Sequence, residues 1–155
     1  MKAITLWQPW ASLLACGAKI YETRSWDTKY RGPIAIHAAM KDVCAIMRSL
    51  PHDVQKAMFD CLYATFGIQS GAHKKLPIAC IIAVADLVGC WRIKDICGST
   101  RIDKDGKMIV ISGNELLFGD YTPGRYAWEF ANMRLLSVPI QVKGKQGLWN
   151  WEGLE

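Results

Sequence analysis

The stretch "LWQPWASLLACGAKIYETRSW", residues 6–26, joins a short apolar helix pattern to a charged strand pattern. Pro9 fits a first helical position, and the apolar side chains after it recur at helical spacing up to Gly17, a typical residue just beyond a helix end. The next segment, "KIYETRSW", carries the β-branched and aromatic residues of a strand. On such a strand Glu22 and Arg24 are two residues apart and therefore face the same side.

These two charges are open to more than one interpretation. Exposed opposite charges form an ordinary surface ion pair, worth ~0–1 kcal/mol. Ile20 shares their face in a regular strand, which predicts partial enclosure, and a partly buried charge without a partner is costly. Lys19, at the strand entrance, is expected to lean over the same opening. The spacing alone leaves both a surface ion pair and a functional cluster open.

The rest of the chain alternates between strand and helix patterns. Residues 2–6, 32–39, 76–93, 126–136 and 138–144 predict extended segments, and the long apolar one is expected to bend at Gly89. Residues 41–66 predict two helices separated by Pro51, with Gly67 ending the second. Residues 97–108 predict a surface loop with a turn at Asp105-Gly106. Five or six strands, with helices inserted after the first strand and mid-chain, predict an α+β protein built on a small curled sheet or barrel.

Composition is that of a globular chain. At 155 residues, with 51% hydrophobic and 21% charged residues, we expect a single domain over residues 1–155. The N-terminus has no signal-peptide pattern, and the longest apolar run, residues 78–85, is too short to span a bilayer. A cytoplasmic location without a membrane partner is therefore expected, and the oligomeric state is left open.

Six cysteines raise the question of a metal or of disulfides. They show neither a C-x-x-C spacing nor a cysteine–histidine pair at ligand spacing. Several lie in apolar runs, where a free thiol behaves as a small hydrophobe. We therefore predict reduced structural thiols, no metal site and no cofactor.

Basic residues concentrate at the two ends of the chain. The net charge is +5; residues 1–31 hold five basic and two acidic side chains, and residues 123–150 hold four basic and one acidic. If the two ends meet in the fold, they form a basic face suited to phosphate-bearing ligands.

The opening stretch resembles the signature of the ASCH domain family: Gln-Pro-aromatic, a helix, then Gly-x-Lys-x-x-Glu-x-Arg. The residues that match are Gln8, Pro9, Trp10, Gly17, Lys19, Glu22 and Arg24. Arg31-Gly32 with the strand after it, "AVADLVGC" and "GRYAWEF", which contains Arg125, also resemble elements of the family, so the resemblance spans nearly the whole chain. It implies a β-barrel related to the PUA domain and a cleft for RNA lined by the first motif.

The resemblance makes RNA or a nucleotide-like ligand the expected partner. In PUA-like barrels a cleft with a positive rim holds RNA or a modified base, and an exposed base stacks on aromatic rings. We expect one or two of the tryptophans to line such a cleft. The ligand-binding residues predicted in this way are Gln8, Trp10, Lys19, Glu22, Arg24, Arg31 and Arg125.

Two other functions remain open. One is a small hydrolase acting on RNA or on a modified nucleoside such as acetylcytidine, with Lys19 and Glu22 as catalytic residues. The resembling amidohydrolase branch carries Lys-x-x-Thr, whereas Thr23 stands one place out of that register, which turns a strand side chain to the other face. A third hypothesis is a protein-interaction domain whose cleft holds a peptide segment.

Overall fold

A computed structural model describes residues 1–69, 71–72 and 75–153. Over this part of the chain there are eight strands and four helices. The strands are β1 (Lys2–Leu6), β2 (Tyr21–Arg24), β3 (Gly32–Ala38), β4 (Cys80–Ile96), β5 (Ser99–Lys104), β6 (Lys107–Val110), β7 (Tyr126–Gln141) and β8 (Leu148–Asn150). The helices are α1 (Trp10–Ala15), α2 (Val43–Ser49), α3 (His52–Phe66) and α4 (Gly113–Leu117).

The strands form one mixed sheet. Its order is β2-β7-β4-β3-β1-β8, and the β5–β6 hairpin continues from β4. β1 and β3 pair in parallel, with Thr5 opposite His37, and the other pairs are antiparallel. The register of β4 against β7 shifts between Leu87 and Gly89, where a bend was expected.

The sheet curls round on itself. Arg24 Nη2, at the end of β2, donates a hydrogen bond of 3.0 Å to the carbonyl of Thr5 in β1, although β7, β4 and β3 lie between these strands in the sheet order. The end strands β2 and β8 nevertheless do not pair among the described residues, so the sheet is an open curl rather than a closed barrel. The predicted α+β class on a PUA-like curled sheet is confirmed.

Helix α1 lies between two packed layers. Leu14 is fully buried against the sheet core around Trp128, whereas its neighbour Leu13 is fully buried against Met58 and Leu62 of α3. Burying each leucine stabilises the fold by ~1.5–3 kcal/mol. Gly17 follows the helix with φ +77°, a backbone conformation that favours glycine and lets the chain reverse into β2.

Three local features differ from the sequence-based expectation. Residues 97–108 are not a loop: they form most of the β5–β6 hairpin, held by buried Ile102 and by a 2.6 Å ion pair from Lys94 to Asp103, although the turn at Asp105-Gly106 is confirmed. The extra hairpin raises the strand number above the expected five or six.

Ile20 lies before β2 and is 45% exposed, so it does not enclose the Glu22–Arg24 pair. Helix α4 was not anticipated.

Candidate functional site

Lys19, Glu22 and Arg24 form a continuous chain of charges. Lys19 Nζ lies 3.2 Å from Glu22 Oε2, and Arg24 Nε lies 3.6 Å from Glu22 Oε1. Glu22 and Arg24 share a face because they are two residues apart on β2, as the strand spacing predicts. Lys19 joins them from the irregular segment after Gly17, and its side chain is only 1% exposed.

Arg24 faces the large cleft, a cavity of about 1010 Å³. Five parts of the chain build its walls: the ends of β1, β2 and β3 with the residues after them, Ala79 before β4, and the end of β7 with the residues that follow it. The lining residues are Thr5, Trp7, Arg24, Trp26, His37, Ala39, Met40, Lys41, Ala79 and residues 141–147.

The charged lining of the large cleft is basic. Arg24, Lys41, Lys143 and Lys145 all contribute to it, and among the described residues no acidic side chain does. The three lysines are exposed. Arg24 belongs to the N-terminal basic region, and Lys143 and Lys145 belong to the C-terminal one. Both ends of the chain therefore contribute basic side chains to the large cleft. Such a cavity attracts anions.

Two exposed indoles stand in the large cleft. Trp7 is 52% exposed and Trp26 is 37% exposed. Trp26 packs edge to face on the fully buried Trp128, with ring centroids 4.6 Å apart, and its carbonyl accepts a hydrogen bond of 3.2 Å from Trp128 Nε1. Lys41 Nζ lies 5.3 Å from the ring centroid of Trp7. Trp26 is therefore a ring fixed to the core on one side and open on the other.

His37 fixes the segment that follows β7. Its Nε2 lies 2.9 Å from the carbonyl of Val142; since a carbonyl only accepts, Nε2 carries the proton. The imidazole is 1% exposed, and burial lowers the pKa of His37, although the hydrogen bond to Val142 acts in the opposite direction. Nearby, Thr5 Oγ1 donates to the carbonyl of Lys145 at 2.8 Å. Residues 142–145 are thereby held against β1 and β3, which places Lys143 and Lys145 at the cleft.

Lys19 and Glu22 face a different cavity. This small cavity, of about 320 Å³, is lined by Trp10, Lys19, Glu22, Thr23, Leu50, Val54, Met58 and residues 117–120. Its wall is mostly apolar, and Lys19 Nζ also lies 3.5 Å from the carbonyl of Phe118. The ion chain through Glu22 thus runs from the small cavity to the large cleft, and the first motif does not converge at a single opening.

The other predicted site residues lie in varied surroundings. Gln8 is fully buried: its Nε2 donates to the carbonyl of Pro77 at 2.8 Å and its Oε1 accepts from the N–H of Ser12 at 3.1 Å, so it anchors the start of α1. Arg31 is exposed, lines neither cavity and donates to the carbonyls of Thr28 and Tyr30.

Trp10 and Arg125 lie on the side of the small cavity. Trp10 is half-buried and lines that cavity. Arg125 Nε pairs with Asp120 Oδ2 at 3.2 Å, and its Nη2 donates to the carbonyl of Thr23 at 3.4 Å. Arg125 therefore fixes the segment before β7 to β2, beside the small cavity rather than in the large cleft.

Sequence reasoning missed most of the large cleft. Lys41, Lys143 and Lys145 were not among the predicted site residues, and neither of the two cleft tryptophans was singled out. The excess of basic residues over residues 123–150 was the signal that pointed to Lys143 and Lys145, whereas Lys41 lies outside both basic ends. Two tryptophans, Trp7 and Trp26, line the large cleft, and Trp10 lines the small cavity.

Within residues 1–69, 71–72 and 75–153, no group of three or more histidine, cysteine, aspartate or glutamate side chains has a metal-binding arrangement. No helix in these same segments has the length and apolarity needed to cross a membrane.

Comparison with known proteins gives one family and two relatives. Residues 4–142 match the family model "ASCH domain". The chain is 34% identical over 91 residues to "Activating signal cointegrator 1" of Mus musculus and 33% identical over 91 residues to the protein of the same name from Homo sapiens. Each match covers 56% of this chain but only 14% of the relative.

Proposed function

Because the chain belongs to the ASCH domain family, we propose that it binds single-stranded RNA or a nucleotide-like ligand in the large cleft. RNA binding is the role that the family resemblance implies. The observation that carries the proposal is the joint presence in that cleft of two exposed indoles and of charged side chains that, among the described residues, are all basic.

The charges supply attraction without sequence preference. Arg24, Lys41, Lys143 and Lys145 are spread over the walls, which suits a phosphate backbone better than a single phosphate group. Each phosphate contact releases counterions, so binding to a single strand weakens with salt by a slope of about −0.7 per contact in a log–log plot.

The indoles supply a surface for bases. A base that stacks on an aromatic ring gains ~1–3 kcal/mol, and this gain is available only to bases that are not already paired. Trp26 suits this role because its ring is fixed by an edge-to-face contact with the buried Trp128. The pairing of exposed rings with basic side chains favours a single strand over a duplex, whose bases are covered.

We assign the ligand contacts to Arg24 among the predicted site residues, together with Trp7, Trp26 and the three cleft lysines. On this proposal Gln8, which is buried, and Arg31, which bonds to neighbouring carbonyls, stabilise the fold and do not contact the ligand. We retain a single domain over residues 1–155, supported by the one sheet that all eight described strands share. A cytoplasmic location remains a prediction.

The test is a titration of fluorescein-labelled single-stranded RNA of about ten nucleotides, followed by anisotropy. We expect weak binding that falls with salt, and weaker binding to a duplex of the same sequence. Lys143→Ala and Lys145→Ala should each weaken binding and reduce the salt slope. Lys107→Ala is the matched control, because Lys107 is exposed on β6 and lines neither cavity. Equal losses in cleft and control variants would contradict the proposal.

The two alternative functions receive less support. A hydrolase acting through Lys19 and Glu22 would use the small cavity, where Glu22 already pairs with two cations. A protein-interaction domain would require a peptide in the large cleft, and the basic lining would restrict that peptide to an acidic one. Both remain hypotheses that the titration and the turnover assay described below distinguish.

A further inference from the structure

Lys19 is a buried cation whose role the proposed binding site leaves open. Its side chain is 1% exposed, and its ammonium lies against Glu22 Oε2 and the carbonyl of Phe118. It lines the small cavity and not the large cleft. Of the seven motif residues, all within the described part of the chain, Arg24 alone lines the large cleft. Lys19 therefore has no direct route to a ligand held there.

Glu22 connects the two cations. One carboxylate oxygen faces Lys19 at 3.2 Å and the other faces Arg24 at 3.6 Å, and the carboxylate side chain is 13% exposed. Arg24 Nη2 is committed to the carbonyl of Thr5, while its Nε donates no hydrogen bond despite being shielded from solvent. The guanidinium is thus held at the cleft wall by Thr5 and Glu22 together.

The arrangement has a consequence for charge. An acidic side chain this close to Arg24 would by itself cancel the positive charge that Arg24 presents to a ligand. With Lys19 on the other side of the carboxylate, the three side chains sum to one positive charge. Because the side chains of Lys19 and Glu22 are only 1% and 13% exposed, the interaction between them is weakly screened by water.

We propose that Lys19 is a positioning residue for anion binding: it holds Glu22 and offsets its charge, so that Arg24 remains positive toward a phosphate in the large cleft, and it does not itself touch the ligand. This inference rests on the proposed function of that cleft. On this inference Arg24 contacts the ligand, whereas Lys19 and Glu22 affect binding only by setting the position and the charge of Arg24.

The test measures how RNA affinity changes with the summed charge of Lys19, Glu22 and Arg24. Lys19→Met keeps most of the length of the side chain and removes its charge, which leaves the three side chains neutral in sum. Glu22→Gln raises the net charge by one, and the double variant Lys19→Met/Glu22→Gln restores the wild-type net charge without restoring Lys19. Each protein is titrated with the labelled single-stranded RNA between about 50 and 200 mM salt.

We expect Lys19→Met to weaken binding about tenfold, within the range for charges that share one network, and to lower the salt slope by about 0.7, equivalent to one phosphate contact. Glu22→Gln should bind at least as tightly as wild type. The double variant should return to within about threefold of wild type, because the loss of one positive and one negative charge leaves the net charge of the three side chains at its wild-type value. A direct contact by Lys19 predicts instead that the double variant stays as weak as Lys19→Met.

Lys143→Met is the matched control, since Lys143 lies in the large cleft and is exposed. Adding Glu22→Gln to Lys143→Met should not restore the salt slope of RNA binding, because Lys143 is not paired with Glu22. Where Lys19→Met fails to fold by circular dichroism, Glu22→Gln and the double variant carry the test: the double must match wild type. A double variant much weaker than wild type overturns the inference alone, whereas absence of RNA binding by the wild-type protein overturns the proposed function and the inference with it.

Discussion

The indole of Trp26 meets that of Trp128 edge to face, with centroids 4.6 Å apart and planes at 86°. Trp128 is fully buried in the sheet core, whereas Trp26 is 37% exposed at the large cleft. This pair links the core to the proposed binding surface. It also makes Trp26 distinguishable from Trp7, which is 52% exposed and whose ring contact is the side chain of Lys41.

Replacement of the two tryptophans should therefore have different effects on stability. Trp7→Ala should leave the free energy of unfolding within ~0.5 kcal/mol of wild type, as at an ordinary surface position. Trp26→Ala should lose ~0.5–1.5 kcal/mol for the aromatic pair in addition to the packing of the ring. Urea unfolding monitored by circular dichroism measures both.

The same two variants should resemble each other in binding. Each should lose ~1–3 kcal/mol of RNA binding energy if a base stacks on the ring. Trp10→Phe, in the small cavity, serves as the control and should bind as wild type does. Undiminished affinity in Trp7→Ala and Trp26→Ala would remove stacking from the proposal.

His37 should make the stability of the fold depend on pH. Burial lowers the pKa of His37 in the folded state below its ordinary value of 6.5. The unfolded chain therefore binds a proton first as the pH falls, so stability is fully present above about pH 6.5 and decreases below it toward the folded-state pKa. His37→Gln, which retains a donor for the carbonyl of Val142, should show a smaller decrease between about pH 7.5 and 5.5.

Asp103 and Asp120 do not interfere with this measurement. Hydrogen bonds from Lys94 and Thr122 lower the pKa of Asp103 and Asp120 respectively below 3.8, so their contributions are lost only at more acidic pH. A pH dependence of the same size in His37→Gln and wild type would show that His37 is not its source.

Gly144 should not tolerate a side chain. A Cβ at this position would lie 2.6 Å from His37 Nδ1 and would also clash with His37 Cε1, and the imidazole is fixed by its hydrogen bond to Val142. Gly144→Ala should thus cost about 1–3 kcal/mol of unfolding free energy and weaken RNA binding, because Lys143 and Lys145 flank it. The measurements are urea unfolding and the RNA titration.

Gly147→Ala provides the comparison. Gly147 has open space around it, and its φ of +68° makes alanine strained by about 1–2 kcal/mol without any clash. It should reduce stability while Lys143 and Lys145 keep their places. If Gly144→Ala binds RNA as tightly as Gly147→Ala does, the contact with His37 does not position the cleft lysines.

Local signals predicted much of the fold. Helical spacing and a terminal glycine predicted α1, and Pro51 and Gly67 marked the limits of α3, since these residues restrict the backbone whatever the tertiary context. The β5–β6 hairpin was missed because Ile102 is its one fully buried side chain on β5 among polar neighbours. Its pairing to β4 depends on contacts between strands that local composition does not reveal.

Only the part of the site whose residues are close in sequence could be predicted. The period of a strand placed Glu22 and Arg24 on one face, but it did not reveal that Lys19 lines another cavity. The large cleft requires Arg24 to meet residues 141–147, and this meeting results from the curl of the whole sheet. Charge counts at the two chain ends detected that basic surface without identifying its members.

Turnover of acetylcytidine and of single-stranded RNA by the wild-type protein should be near background. In the small cavity Thr23 Oγ1 accepts a hydrogen bond from the N–H of Asp120 at 3.1 Å, and Glu22 is shared between Lys19 and Arg24. A threonine nucleophile needs a base within hydrogen-bond reach. Among the described residues, the Thr23 hydroxyl forms no hydrogen bond with the side chain of Lys19 or Glu22, although all three line the small cavity. Product formation is measured by chromatography with and without EDTA, which should make no difference. Turnover well above background in wild type that disappears in Lys19→Met, with Lys107→Met as the active control, would establish the hydrolase hypothesis in place of simple binding.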